Sequence, residues 1–398
     1  MESSLSDRAE LDFPLMRRNT CLGAVFTSNF AFGLAFGGLS PLISLTLESR
    51  GFAEALIGLN SAIGAVGVVC FAPLAPKIFA RYGAGVSLSV CSVLFIGAIA
   101  LFPWFDSYYA WMVLRFGIGA GIAMPWILTE TWINQITTQK LRGRIMAIHA
   151  TTIAAGFTVG PIMLAVIGTE GSSPFYFCAL VLIGAMSPLL FIQRWFSRIP
   201  THGKVRLSGI LLLAPTIFAA AFVAGALDTT VFSLLPVWGL RIGLPEAQAV
   251  TMLSVFIAGN LLLQVPIGWL GDRYGRRRAM ILCGCVATLG AFGTSQLTSH
   301  WYPMLSVMFI WGGFGWALYS LALAMMGERF NGGALAAANA AFVMAFEIAN
   351  ITAPPSAGYI MDKMGPNGLL AFMGGITLLF TILVTARGFW QRDKDEAG

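Results

Sequence analysis

The sequence is poor in charge: 11% of its 398 residues are Asp, Glu, Lys or Arg, too few to cover the surface of a water-soluble domain of this size. It has three histidines, at 149, 202 and 300, with no paired metal-binding spacing and no nucleophile elbow around a serine. That argues against a metal centre or a hydrolytic enzyme. A Gly-x4-Gly-Lys-Ser/Thr phosphate loop is also missing, which excludes direct drive by a nucleotide in this chain, and no cofactor is expected. The six cysteines, at 21, 70, 91, 178, 283 and 285, form no C-x-x-C pair and lie mostly in or at the ends of apolar runs. They give neither a disulfide framework nor a metal site.

Apolar sequence fills the space that charge leaves. The chain is 57% hydrophobic with a mean hydropathy of +0.78, so its solvent is mostly lipid. A bilayer core is crossed by ~20 apolar residues in a helix. Runs of that kind fall near 20–47, 55–75, 84–105, 108–133, 145–168, 174–193, 207–240, 248–270, 279–298, 301–327, 334–361 and 367–386. They are continuously apolar, whereas a barrel strand would alternate over ~10 residues. The expected fold is therefore an all-α polytopic membrane protein of twelve transmembrane helices. The first 19 residues are polar and lack the apolar core of a cleavable signal, so the first helix is expected to be retained.

Basic residues set the orientation. Of the 24 Lys and Arg, 20 fall on one side of the expected spans; Arg50, Arg241 and Lys363 fall on the other, and Arg115 lies inside a helix. This places both termini in the cytoplasm of a bacterial inner-membrane protein. The net charge of +6 is thus explained by cytoplasmic loops and anionic headgroups rather than by nucleic acid.

Two stretches repeat. Ala80-Arg81-Tyr82-Gly83, after the second run, returns as Asp272-Arg273-Tyr274-Gly275 after the eighth, offset by 192 residues. Gly160-Pro161 returns as Pro354-Pro355 with nearly the same offset. The simplest organisation is an N-terminal tail (1–19), a six-helix bundle (20–193), a polar cytoplasmic linker (194–206), a second, pseudo-symmetric bundle (207–388) and a C-terminal tail (389–398).

Ionisable residues inside spans cost ~2.5 kcal/mol or more at the helix centre, so they mark cavities or partners. Arg115 is about eight residues, ~12 Å, into the fourth helix. It could hold an anionic group of a substrate, pair with a carboxylate, or be a structural arginine satisfied by carbonyls. Asp228 lies in a long run with Gly225 before it and Pro236 after it, a pattern expected to bend or break the seventh helix beside a cavity. Glu347 sits mid-way along the eleventh run, with Asn350 on the same face at i+3. Low dielectric favours the neutral form of a carboxyl group, so either acid could couple transport to protons, or could be a permanently paired structural acid. Asn29, Asn260, Gln264 and Tyr319 are further candidate substrate contacts, Asn60 a weaker one, and Trp126, Trp132, Trp238 and Trp316 could cap a site. His149 lies near a helix end. Glu130, ~22 Å beyond Arg115 on the same helix, is expected to pair with Arg81 or Arg144 at the cytoplasmic mouth. The glycines Gly33, Gly37, Gly38, Gly64 and Gly67 read as close helix packing.

Gly268-Trp269-Leu270-Gly271-Asp272-Arg273-Tyr274-Gly275-Arg276-Arg277-Arg278 resembles the hallmark loop of the major facilitator superfamily. Arg115-Phe116-Gly117-Ile118-Gly119-Ala120-Gly121 resembles that family's arginine-and-glycine motif, and Gly156-Phe157-Thr158-Val159-Gly160-Pro161 its glycine-proline motif. Glu130-Thr131-Trp132-Ile133-Asn134 with Arg142-Gly143-Arg144 is similar to the signature of a bacterial subgroup largely without assigned substrates. The N-terminal copy of the loop departs from the pattern, with Pro76 at the usual glycine and Ala80 at the acidic position. The resemblance implies a monomeric secondary transporter of a small solute working by alternating access, with Asp272, Arg273 and Arg276 closing the cytoplasmic gate beside Arg81, Glu130 and Arg144. Export is slightly favoured over uptake by the glycine-proline motif. A transporter-like sensor or assembly partner without transport activity is the alternative.

Overall fold

A computed structural model describes residues 15–137, 139–195, 214–330 and 332–396. Residues 1–14 of the expected tail, 196–206 of the expected linker and 397–398 lie outside the described residues. Twelve long helices run through the rest: α1 Leu15–Ser49, α2 Glu54–Phe71, α3 Ala75–Leu101, α4 Tyr108–Ile136, α5 Gln139–Ile167, α6 Ser173–Ile192, α7 Pro215–Arg241, α8 Glu246–Tyr274, α9 Arg276–Gln296, α10 Trp301–Arg329, α11 Gly332–Met364 and α12 Gly368–Glu396. All but α11 qualify as membrane-crossing by length and composition among the described residues. The expected C-terminal tail continues α12 as helix as far as Glu396.

Of the bend or break expected in the seventh helix, the break is absent: α7 is continuous from Pro215 to Arg241, with Pro236 inside it. Gly225 is needed for packing instead, because a side chain there would collide with the backbone carbonyl of Phe346 in α11.

The helices form two compact units, one from Met1–Leu42 with Ile63–His202 and the other from Ile43–Ala62 with Gly203–Gly398. The end of α1 and the start of α2 thus cluster with the C-terminal helices, whereas a division at the linker alone leaves them with the N-terminal ones. Each unit repeats the same pairings. In the first, Gly37 of α1 meets the backbone of Phe157 in α5, where a Cβ would stand 2.9 Å from the carbonyl oxygen, and Gly119 of α4 meets the carbonyl of Gly64 in α2. In the second, α7 meets α11 at Gly225, and α8 meets α10 where Gly313 approaches the carbonyl of Gly259, 2.8 Å from a would-be Cβ. In lipid, apolar side chains gain nothing by leaving their surroundings, so close backbone approach at small residues is what holds such pairs.

The repeated loop is also alike in its backbone. Gly83 and Gly275 take φ of +80° and +93°, a region that side-chain-bearing residues avoid; Gly275 turns α8 directly into α9, and Gly83 kinks α3 just before its membrane-crossing stretch Gly85–Trp104. Gly83→Ala and Gly275→Ala should each lower stability in detergent by about 1–3 kcal/mol. Gly97→Ala, inside α3 with nothing near a would-be Cβ, should not. Melting curves of the three variants check this; equal melting temperatures would remove strain as the reason for both glycines.

Candidate transport site

In the second unit, the Gly225 contact brings α7 and α11 together one turn from Asp228, so that Asp228 lies within electrostatic range of Glu347. A hydrogen-bonded bridge spans the same crossing. Thr229 Oγ1 donates to Asn350 Oδ1 at 2.7 Å, and Asn350 Nδ2 donates to Glu347 Oε2 at 3.3 Å. Asn350 is buried and the two acids are half-buried. Among the described residues neither Asp228 nor Glu347 makes an ion pair. Tyr319 of α10 packs edge-on against Phe342 and Phe346 of α11, 5.1 and 5.4 Å between ring centres, beside Glu347 in sequence. Asn260 is half-buried; Gln264 is exposed and donates to Ser320 Oγ at 2.7 Å.

In the first unit, Arg115 is 3% exposed. Its Nη2 donates to Ser40 Oγ of α1 at 3.1 Å, while Nε and Nη1 have no partner among the described residues. The absence of a side chain at Gly64 makes room for its stem, since a Cβ there would stand 3.3 Å from Nε. Asn29 places Nδ2 2.6 Å from Nδ1 of buried His149 in α5. Trp132 and Trp238 are both fully buried in the packing, and Trp238 Nε1 donates to Asn367 Oδ1 at 3.3 Å. Trp126, by contrast, is exposed and donates to Glu130 Oε1 at 3.0 Å.

The loop after α8 folds its charges together. Arg276 Nη2 lies 3.4 Å from Asp272 Oδ1 across the Gly275 turn and 3.3 Å from Glu328 Oε1 of α10, a partner the sequence did not suggest. Arg273 lies over the rings of Trp269 and Tyr274, and Arg277 Nη2 donates to the carbonyl of Val384 in α12 at 2.6 Å. Arg81 lies over Tyr82, and Arg144 is exposed. A second charged group, missed because its members are far apart in sequence, joins Glu48, Glu54, Arg241 and Asp362. The described residues hold no group of three or more His, Cys, Asp or Glu placed to bind a metal ion.

Twelve long helices among the described residues, eleven of them apolar and long enough to cross a bilayer, define a multi-pass membrane protein. Family comparison agrees: the Major Facilitator Superfamily description matches residues 25–249 and 217–398, and the chain belongs to that family. It is similar to the uncharacterized MFS-type transporter YfkF of Bacillus subtilis (strain 168), 25% identical over 347 residues that cover 86% of this chain and 88% of that one. An uncharacterized MFS-type transporter of Enterobacter sp. (strain 638) is 23% identical over 88% of this chain and 91% of its own length. The fold is that of a D-xylose–proton symporter, with a TM-score of 0.71 at 18% identity over 91% of this chain and 96% of that one. It is equally that of the nucleoside transporter NupG, with a TM-score of 0.70 at 15% identity over 93% and 98%. The chain is a transporter rather than an enzyme, and as a member of this family it binds a small-molecule substrate.

A buried guanidinium with two unpartnered nitrogens is costly, and an apolar residue of similar length removes that cost. Arg115→Met should therefore hold or raise the melting temperature while weakening ligand binding. A fall equivalent to about 2 kcal/mol or more would show that the guanidinium is structurally paired.

Proposed function

We propose that this protein is a proton-coupled secondary transporter that moves a small anionic or zwitterionic solute across the bacterial inner membrane by alternating access. The observation that carries the reading is the Asp228–Glu347 pair. Two half-buried carboxyl groups within electrostatic range of each other, Glu347 held by Asn350 and neither ion-paired among the described residues, repel each other when both are ionised. The pair is completed by a proton, and its release on one side of the membrane and capture on the other supplies the drive. Arg115, with donors left over, is the contact for the negative group of the solute, supported by Asn29, Asn260, Gln264 and Tyr319. A solved protein of the same fold is described as a D-xylose–proton symporter, which supports proton coupling on this scaffold.

Export is favoured slightly over uptake, so the coupling is antiport, with protons entering as solute leaves. The glycine-proline segment supports this reading; its Gly160 is pressed against the carbonyl of Leu34 in α1, 2.5 Å from a would-be Cβ. Basic residues concentrate on one side of the spans, which favours cytoplasmic termini for a monomer organised as two six-helix bundles. Asp272, Arg273 and Arg276, with Arg81, Glu130 and Arg144, form the cytoplasmic gate.

The test is proton flux in proteoliposomes loaded with a pH-sensitive dye and challenged with organic acids, amino acids, sugars and cationic drugs. One chemical class should release protons across the bilayer, and Glu347→Gln or Asp228→Asn should cut that flux at least tenfold while the protein still melts cooperatively. Ligand-induced stabilisation without flux for any compound would favour a sensor. Flux unchanged in both variants would remove these acids from the coupling.

A further inference from the structure

Four helix ends meet within the second unit. Arg241, the last residue of α7, places Nε 2.5 Å from Glu48 Oε1 near the end of α1 and Nη2 3.2 Å from Glu54 Oε1 at the start of α2. Asp362, in the last turn of α11, caps α2 from 308 residues away: Oδ1 accepts from the backbone N–H of Glu54 at 2.9 Å and Oδ2 from that of Ala55 at 3.1 Å. Two unpaired N–H groups at a helix start are satisfied by an anion, which the helix dipole also favours. The approach is possible because two glycines bare the backbones. A side chain on Gly58 would strike the carbonyl of Pro354, and one on Gly358 would strike the carbonyl of Glu54.

This arrangement brings the carboxyl groups of Glu54 and Asp362 within hydrogen-bonding reach of each other. Neither carboxylate has a hydrogen to donate, so that bond exists only while a proton is held between them. Glu48 already engages the same guanidinium, leaving three carboxyl groups against one base. The other charged residues at these ends are Arg50, exposed in the turn after α1, Glu246 at the start of α8, and Lys363, whose ammonium lies over the Tyr359 ring at 5.8 Å.

We propose that Glu54 and Asp362 share a proton that fastens residues 43–62 onto α7 and α11, making this cluster a proton-operated latch separate from the Asp228–Glu347 pair. With the proton in place, Asp362 holds both the α2 backbone and the Glu54 side chain. Without it, three anions surround Arg241 and the contact loosens. The latch therefore closes as pH falls and opens as pH rises. Its use in a transport cycle rests on the alternating-access reading above; its titration does not.

Ser44 reports on opening. It is buried at 1% exposure on α1, one turn inside Glu48. In protein whose exposed Cys70 and Cys285 are replaced by serine, Ser44→Cys is reacted with a charged maleimide at pH 5.5 and pH 8. Rates are normalised to a Ser107→Cys control, exposed in the turn before α4, to remove the thiol's own pH dependence. The normalised rate should rise at least fivefold with pH. Glu54→Gln supplies a permanent amide donor to Asp362, so it should stay slow at both pH values, and Asp362→Asn, which donates to Glu54, should show the same flat profile. Arg241→Gln should react fast at both. A flat profile in the unmodified latch, or a retained rise in Glu54→Gln, overturns the proposal. Asp228→Asn and Glu347→Gln should leave the profile unchanged, so this result stands apart from the outcome of the flux assay.

Discussion

In a bilayer, helices gain little by pressing apolar side chains together, and what discriminates one partner from another is how closely two backbones can come. The close crossings described here lack a side chain on at least one partner. Gly37 against Phe157 and Gly64 against Gly119 hold the first unit; Gly225 against Phe346 and Gly259 against Gly313 hold the second. The polar chemistry follows from these crossings. Gly64 leaves room for the Arg115 stem, and Gly225 brings Asp228 to the helix that carries Glu347 and Asn350.

The helices were legible because apolar runs of membrane-spanning length admit few other readings, and observed ends fall within a few residues of the runs for most of them. One end that moved is instructive. The run expected from 145 begins as helix at Gln139, because polar residues flanking a span extend a helix at no cost once they leave the hydrocarbon; the run expected from 84 agrees with the membrane-crossing stretch Gly85–Trp104, which follows the Gly83 kink inside α3. The break that was one of two expectations for α7 is absent for a different reason. Glycine near an aspartate breaks a helix when the glycine is needed for backbone freedom, but Gly225 is needed for space, and sequence alone does not separate the two.

Charged residues inside spans stood out for the same reason the spans did: an ion in lipid is rare enough to be noticed. That is why Arg115, Asp228 and Glu347 could be singled out, while Ser40, which bonds Arg115, and Thr229, which bonds Asn350, could not. Hydroxyl groups in helices usually bond their own backbone, as Thr131 does to the carbonyl of Ile127, and nothing in the sequence marks those that bond across helices. The Glu48–Glu54–Arg241–Asp362 cluster was hidden by ordinariness. Acids and bases at span ends are expected in any membrane protein, and only three-dimensional structure shows that these four meet. Two of its acids, Glu48 and Glu54, are better enclosed than Asp272 and Glu328, at 13% and 10% exposure against 71% and 63%, while Asp362 is exposed. Exposed pairs contribute about 0–1 kcal/mol and are screened by salt, so the Glu48 and Glu54 pairs have the greater leverage.

The seam between α2 and α11 at Gly58 and Gly358 is smooth, because at each of those points one helix has no side chain for the other to grip. Surfaces that interdigitate must unlock rotamers before they part, and that makes separation slow. A bare backbone has none to unlock. Such a seam adheres weakly and sheds its partner quickly, leaving the charges at its rim to decide how long it stays shut.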